Sequence, residues 1–330
     1  MAKYMKTEQG YIDIPNFALE PFKPAGKSYL TFSSSNSFNL KVENSTKNWD
    51  GTLEYFASDK TWTVWDGTTV LSAVYDDGEY FLYLRGTKNT IITGNNTNFR
   101  WILNGSNIAC IGNIENLLDY AIVASGNHPT LANYCYSSMF LGCISLTQAP
   151  ALPATTLANY CYSSMFQGCT SLTQAPALPA TTMANDCYSF MFQDCTSLTQ
   201  APALPATTLA DSCYKYMFNN CISLTQAPAL PATTLANHCY SSMFKVCRSL
   251  KLSTTKTGEY TQGYRIPFSG EGVTETNALQ NMFISTGGTF TGTPSINTTY
   301  YLSSDNMIVR ETDIATLNGY IRSMINAALN

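Results

Sequence analysis

The sequence predicts a mixed α/β fold, in which an N-terminal β-sandwich is followed by a solenoid of repeats, with caps, and by a C-terminal helix. Three observations lead to this prediction: apolar and polar residues alternate early in the chain, one pattern of residues recurs with a fixed period, and the last part has helical periodicity. Alternation is typical of half-buried strands, and a period of about 20 to 50 residues is typical of solenoids. The expected domains are an arm over residues 1–25, the sandwich over 26–105, the solenoid over 106–302 (regular repeats over 131–250) and the helix over 303–330.

Composition excludes several classes of protein. The 330 residues carry a net charge of −4, only 12% of them are charged, and no basic run occurs. Nucleic-acid affinity comes mainly from clustered Lys and Arg, so we expect no nucleic-acid partner. No apolar run approaches the roughly 18 residues that a membrane span needs, and the start of the chain lacks the apolar core of a secretory signal.

The arm is expected to be extended. Tyr11-Ile-Asp-Ile-Pro alternates as a short strand does, and Pro15, Pro21 and Pro24 disfavour a helix. The arm could dock on a partner or serve as a simple leader strand.

Five strand-like segments, separated by turn signals such as Asp-Gly, favour a small sandwich of immunoglobulin-like shape over residues 26–105. They are Tyr29–Phe32, Phe38–Val42, Leu53–Phe56, Thr61–Trp65 and Tyr80–Leu84. Trp62 and Trp65 could line a sugar-binding platform, although a sandwich of this size is expected to take at least one of them into its core.

The repeats have a step of 26 residues, seen in the column Cys135, Cys161, Cys187, Cys213 and Cys239. Within one unit, apolar residues recur at helical spacing, Thr156 could cap the helix and Gly168 lies near its end. The following Leu-Thr-Gln-Ala-Pro segment is extended, because residues before proline avoid the α region. One helix and one strand per unit predict a leucine-rich-repeat coil. The apolar positions are Leu157, Cys161, Tyr162, Met165, Phe166 and Cys169.

Ten of the eleven cysteines fall in two columns of the repeat. Two cysteines eight residues apart on a helix would be about 12 Å apart, whereas a disulfide needs Cα atoms within about 7 Å. Bridges between neighbouring repeats are an alternative, but we expect small, buried, reduced residues. No C-x-x-C pair occurs and there are two histidines, so no metal site and no cofactor is expected.

The repeat motif Cys-Tyr-x-x-Met-Phe-x-x-Cys-x-Ser-Leu-Thr, followed by Ala-Pro-x-Leu-Pro-Ala-Thr-Thr, resembles the BspA-like leucine-rich repeats of gut-bacterial surface proteins and of phages that infect such bacteria. The flanking segments, residues 112–120 and 287–301, resemble caps of the same group. The resemblance covers roughly residues 50 to 301. It implies a leucine-rich-repeat fold and a role in adhesion and surface recognition, and it carries over no catalytic residue.

Differences among the repeats indicate candidate binding residues. The Thr-Gln-Ala-Pro strand side is identical in four successive copies, whereas the predicted helix side varies. Phe190, Lys215 and Tyr216 could form a patch that contacts a partner, or the variation could be drift on a solvated face. The unvaried Thr/Gln side would suit a repetitive ligand such as a glycan polymer. Tyr260 and Tyr264, on an insertion expected to be an exposed loop, are further candidates.

The segment from Thr312 predicts an amphipathic helix. Its apolar residues also fit heptad a and d positions, so it could mediate assembly or pack back onto the protein. The assembly residues are Ile314, Leu317, Ile321 and Met324.

No nucleophile elbow, metal set or phosphate loop occurs, so we expect a protein that is not an enzyme. The predicted function is that of a virion-associated fibre or decoration protein, made in the host cytoplasm and displayed on the virion surface, that adheres to bacterial-surface or mucosal glycans or proteins. Its partners would be other virion proteins or further copies of itself, with a trimer as one option. A bacterial cell-surface adhesin and a purely structural spacer are the alternatives.

Overall fold

The computed structural model describes residues 4–7, 10–13, 21–26, 28–95, 97–267 and 275–310. The predicted mixed α/β fold is wrong, because the chain is built of strands and turns and is only 5% helical. The described α-helices are short, α1 Asn116–Ala124 and α2 Glu275–Ala278, and one 3-10 turn covers Thr97–Phe99. The leucine-rich-repeat solenoid, with a helix in every unit, is therefore not formed.

The arm contains an antiparallel pair, β1 Tyr4–Thr7 and β2 Gly10–Asp13. Further along, Phe22 is buried against the rings of Phe56 and Tyr83, with centroids 5.3 and 5.9 Å away. The backbone N–H of Phe22 donates to Asp76 Oδ2 over 2.8 Å. The end of the arm is thus held on the sheet that follows it.

Two sheets follow the arm, and their core residues pack together. The larger has the order β12-β11-β3-β9-β5-β6, with β8 also paired to β9, and the smaller has the order β10-β4-β7. The strands are β3 Leu30–Ser34, β4 Asn39–Val42, β5 Thr52–Phe56, β6 Trp62–Val64, β7 Leu71–Ser72, β8 Val74–Asp76, β9 Glu79–Thr87, β10 Trp101–Asn104, β11 Ile108–Ile111 and β12 Leu146–Gln148.

All pairs within these sheets are antiparallel except β11 with β12. Since β12 belongs to the first repeat, the predicted boundary at residues 105/106 falls just before a strand that joins the sheet to the repeats. One buried core continues from Leu30 in β3 to Leu302 near the end of the described chain.

Each repeat contains a chain of tight turns where a helix was predicted. In the second unit Tyr160, Ser164 and Gly168 have φ of 59°, 55° and 73°. Alternate N–H groups bond three residues back, as Ser163 does to the carbonyl of Tyr160 (3.1 Å). The N–H groups between them cross to the next unit, as Tyr162 does to Cys187 (3.0 Å). An α-helix directs its N–H groups to its own carbonyls four residues back, whereas this backbone uses about half of them to join neighbouring units.

The apolar pattern suits these turns for a simple reason. Two consecutive residues point inward, then the chain turns, so buried pairs recur every four residues. Over three turns this four-residue period differs from the 3.6-residue helical period by only a third of a turn. A helix and this turn chain therefore place the same side chains in the core, and the sequence pattern does not separate them. The apolar turn residues of the second unit that are buried are Cys161, Tyr162, Met165, Phe166 and Cys169.

Two columns of aromatic rings form the centre of the stack. The phenylalanine rings lie 5.6–5.8 Å apart and within 8° of parallel, and the tyrosine rings lie 5.5–6.0 Å apart. Each such pair contributes about 0.5–1.5 kcal/mol beyond the burial of its area. The columns are Phe140, Phe166, Phe192, Phe218, Phe244 and Phe283, and Tyr136, Tyr162, Tyr188, Tyr214 and Tyr240.

All eleven cysteines are free and buried, which confirms the expectation of small, reduced core residues. Thiols of the second column donate to carbonyls of the unit before, as Cys169 does to Phe140 (3.1 Å). Burial raises the pKa of Cys161 and of Cys239 to about 12. These thiols are therefore protonated, and poor nucleophiles, at neutral pH.

Both ends of the stack are hydrogen-bonded to non-repeat chain. At the N-terminal end Ile92 and Trp101 donate to the carbonyls of Cys135 and Met139. At the C-terminal end residues 278–284 form a further turn unit, which accepts a bond from Val246 (2.8 Å). The chain after the repeats adds β18 Met307–Val309, which pairs with β13 Gln226–Pro228 of the fourth repeat. It also forms a sheet of order β15-β17-β14-β16, made of β14 Lys251–Ser253, β15 Tyr260–Arg265, β16 Gly287–Gly288 and β17 Thr299–Ser303.

Within the domain 303–330 that was predicted as a C-terminal helix, the described residues 303–310 are not helical, and residues 307–309 form a strand, β18. Residues 311–330, which include Ile314, Leu317, Ile321 and Met324, lie outside the described residues. The longest helix that the structure describes, α1, has nine residues, and none of the described helices is long and apolar enough to cross a membrane.

Candidate functional site

Four large aromatic residues lie on the turn side of the stack, and we call them the aromatic face: Tyr134, Tyr160, Phe190 and Tyr216. All four side chains are half-buried, and all four backbones are left-handed, with φ of 62°, 59°, 58° and 56°. This conformation costs residues other than glycine roughly 1–2 kcal/mol, and asparagine and aspartate tolerate it best among them. Aromatic residues are therefore unusual at these backbone positions.

The aromatic face consists of two stacked pairs. The rings of Tyr134 and Tyr160 are 4.6 Å apart and those of Phe190 and Tyr216 are 5.0 Å apart, each pair within 6° of parallel. Every ring has one face against its partner. All four side chains remain partly exposed, so part of each ring is accessible to a ligand.

Charged groups lie beside the rings. Asp186 lies at the position of the third unit that corresponds to Tyr160 in the second unit. Burial raises the pKa of the Asp186 carboxyl, and its interactions with Tyr160 and Lys215 oppose that rise. The same interaction raises the pKa of Tyr160. Aromatic rings next to a carboxylate and an ammonium group can bind the apolar side of a sugar ring while hydrogen-bonding its hydroxyls, or can bind aromatic and charged side chains of a protein.

The structure brings together the three residues that the sequence suggested here. Phe190 and Tyr216 are the stacked pair, and the N–H of Phe190 donates to the carbonyl of Lys215 over 2.8 Å. Sequence reasoning did not select Tyr134 and Tyr160. Their recurrence at one position in adjacent repeats was the signal for a second pair.

The two candidate tryptophans do not form a platform. Trp65 is 1% exposed and packs in the core against Trp49 and Trp101, with centroids 5.1 and 5.5 Å away. Trp62 lies apart from it, half-buried under the Arg85 guanidinium at 4.2 Å. The expectation that one of them is a core residue is confirmed, and the sugar platform of both is wrong.

The expected exposed loop around Tyr260 and Tyr264 is also wrong. Both residues lie in β15, 7% and 2% exposed, because β17 pairs with this strand. The Tyr264 hydroxyl donates to the carbonyl of Pro228 over 2.8 Å. These tyrosines anchor the insertion and do not face solvent.

The Thr/Gln side is regular and partly exposed. Thr173, Gln174, Thr199 and Gln200 are exposed, and the N–H of Thr199 donates to the carbonyl of Thr173 over 3.1 Å. It carries no aromatic ring and no charge, so it offers fewer recognition groups than the aromatic face. Within the described residues no group of three or more His, Cys, Asp or Glu side chains is placed to hold a metal ion.

A scan against protein-family models, a search of curated proteins and a search of solved structures each found no match. The functional proposal therefore depends on the geometry described above and on the sequence.

Proposed function

We propose that the protein is a non-enzymatic adhesion protein, mounted on a phage particle as a fibre or decoration, and that its aromatic face binds glycans or proteins of a bacterial or mucosal surface. The observation that carries this proposal is the presence of two stacked aromatic pairs at left-handed backbone positions.

The fold itself does not need rings at these positions. The equivalent residues of other units are Ser138, Ser164 and Ser212, also left-handed, and the stack continues through them without a break. The left-handed backbone costs serine and the aromatic residues alike, so the stacking energy, about 0.5–1.5 kcal/mol per pair, is a gain of the rings over serine. The fold accepts either residue type at these positions, and a binding role is our reason for the partly exposed rings.

Two further observations support a phage particle as the mounting site. The repeat motif resembles that of surface proteins of gut bacteria and of their phages. Eleven free, buried thiols suit a chain that folds in a reducing cytoplasm, where phage structural proteins are made. Other virion proteins or further copies of this chain would be the partners in assembly. Mounting on the bacterial cell surface is the alternative.

The binding proposal is tested with variants that keep the backbone conformation. Phe190→Asn and Tyr216→Asn remove the rings and place a residue that tolerates positive φ. We expect both variants to melt within a few degrees of the parent, and binding of the labelled protein to cells of the source community to fall at least tenfold. Tyr75→Asn, which removes a 62% exposed ring on β8, is the matched control. Unchanged cell binding by the two face variants would contradict the proposal and favour a structural spacer.

The mounting proposal is tested separately by location. An antibody against the repeat, applied to separated particles, envelopes and cytosol, should detect the protein with intact phage particles. Detection in the envelope alone would contradict the phage assignment and leave the binding proposal standing.

A further inference from the structure

A cavity of about 390 Å³ lies on the larger N-terminal sheet, away from the aromatic face. One wall is the end of the arm, with Pro21 and Lys23, and the rest comes from β3 and the residue before it, from β8 and β9, and from residues 111–112 at the end of β11. Tyr29, Phe81 and Tyr83 supply its aromatic lining, and Asp76 supplies a carboxylate. A volume of this size is within the range of small-molecule sites, which combine apolar walls with a few polar groups.

The wall formed by the arm is fixed in place. Asp76 Oδ2 accepts the N–H of Phe22 over 2.8 Å, and the Phe22 ring is buried next to Phe56 and Tyr83. The cavity is therefore formed before any ligand arrives, and Asp76 keeps a second carboxylate oxygen for which no partner is found among the described residues.

The aromatic rings are rigidly arranged. Tyr29 and Tyr83 meet edge to face at 5.3 Å and 82°, and Phe81 lies parallel to Tyr83 at 5.9 Å. Tyr83 is 4% exposed, and in the described part of the chain its hydroxyl has no hydrogen-bond partner. The Tyr29 hydroxyl makes one long contact, 3.4 Å to the carbonyl of Pro24.

Both hydroxyls are protonated at neutral pH. Burial raises the pKa of Tyr29, and burial together with the neighbouring Tyr29 and Asp76 raises the pKa of Tyr83 to about 12. The cavity thus presents one unengaged phenolic donor, that of Tyr83, together with the acceptor lone pairs of the Tyr29 hydroxyl and one carboxylate acceptor, on a largely apolar aromatic wall.

We propose that this cavity is a binding site for a single saccharide unit, with the ring of Phe81 against its C–H groups and with Asp76 and the hydroxyls of Tyr83 and Tyr29 bonded to its hydroxyls. A pyranose alternates apolar C–H groups with hydroxyls that donate and accept, which matches this set of groups. The site is independent of the aromatic face, so either proposal can fail alone.

Saturation-transfer NMR on the full chain tests the proposal, with the methyl glycosides of glucose, galactose, mannose and N-acetylglucosamine as probes at millimolar concentration. We expect transfer to at least one glycoside, and Asp76→Asn and Tyr83→Phe should each weaken its titrated affinity about tenfold, since each removes a hydrogen bond from a buried site. Asparagine at 76 keeps an acceptor for the N–H of Phe22, so the wall should stay in place.

The controls separate this cavity from its surroundings. Tyr75→Phe alters the neighbour of Asp76 on the opposite side of the strand and should leave the affinity unchanged. Tyr134→Asn, on the aromatic face, should also leave it unchanged. Absence of transfer to all four glycosides, or affinity that is insensitive to Asp76→Asn and Tyr83→Phe, would overturn the proposal.

Discussion

Replacing Phe192 with alanine should destabilise the protein far more than replacing Phe190, two residues away in the same unit. Phe192 is fully buried, and its ring lies between those of Phe166 (5.7 Å) and Phe218 (5.8 Å). Deletion of a buried phenylalanine ring typically costs about 3–5 kcal/mol, which includes the cavity that remains. Two stacked contacts are lost with it, so we expect a loss near the upper end of this range.

Phe190→Ala is the matched control. The Phe190 side chain is half-buried and stacks on one ring, that of Tyr216. Its removal should therefore cost about 1 kcal/mol. Both substitutions leave the backbone bonds between units unchanged, so the difference reports on the ring column.

Urea unfolding followed by circular dichroism measures both free energies of unfolding. In the double variant Phe166→Ala/Phe192→Ala, the stacked contact is already absent when the second ring is removed, so the two costs should sum to more than the double variant loses. A loss below about 1 kcal/mol for Phe192→Ala, or equal losses for Phe192→Ala and Phe190→Ala, would refute the view that the buried rings hold the units together.

Three further outcomes are expected. Val246 is β-branched and has a φ of 65°, so Val246→Asn should raise the free energy of unfolding by about 1 kcal/mol in urea titrations. A lower free energy of unfolding for this variant would contradict the inference that the backbone of Val246 is strained. Asn306 is fully buried, donates to two backbone carbonyls and accepts one backbone N–H. Asn306→Ala should therefore lower the free energy of unfolding by about 2–4 kcal/mol, measured as a lower melting temperature. Asp305→Ala, at an exposed neighbouring position, should change the melting temperature little. Burial raises the pKa of Cys143 to about 11 and of Cys161 to about 12. Burial of these two protonated thiols stabilises the fold fully below the unfolded thiol pKa of about 8.5. Above that pH the free energy of unfolding should fall by about 1.4 kcal/mol per pH unit for each thiol, until the pH reaches the pKa of that thiol in the folded protein. Unfolding free energies that stay constant between about pH 8 and 10 would contradict this.

Much of the local structure follows from residue patterns. The five segments with alternating polarity correspond to β3, β4, β5, β6 and β9, because side chains of a strand alternate between its faces. The glycine near the expected helix end indicates a left-handed residue, and Gly168 is left-handed. That conformation belongs to a chain of turns and not to a helix end.

The errors have identifiable causes. Patterns with periods of 4 and 3.6 residues bury the same residues over one short unit, so the sequence of a repeat predicts a helix where the chain forms turns. The decisive bonds, such as that from Tyr162 to Cys187, connect different units and leave no trace in the polarity of one unit. Tyr264 was expected in solvent because its segment interrupts the repeat, and its burial depends on β17, which comes much later in the chain.

The candidate sites were only partly predictable. Variation among repeats selected Phe190 and Tyr216, since a residue that departs from its column stands out in near-identical copies. The cavity beside the arm is not predictable from local patterns, because its parts are distributed over the arm, β3, β8, β9 and the end of β11, and only the folded chain brings Tyr29 next to Asp76 and Tyr83.

The hydrogen bonds between units also constrain how such a protein can change length in evolution. A backbone N–H can bond to the next unit only if the equivalent residue of that unit lies beside it. Insertion or loss of one residue within a unit would therefore move both ring columns out of register from that point on. Gain or loss of a complete 26-residue unit would leave both columns continuous and both end segments matched to their neighbours. Recombination between near-identical gene segments produces whole-unit changes of this kind. Related proteins should therefore differ in the number of repeats, and so in the length of the stack, while the segments at both ends of the stack stay the same.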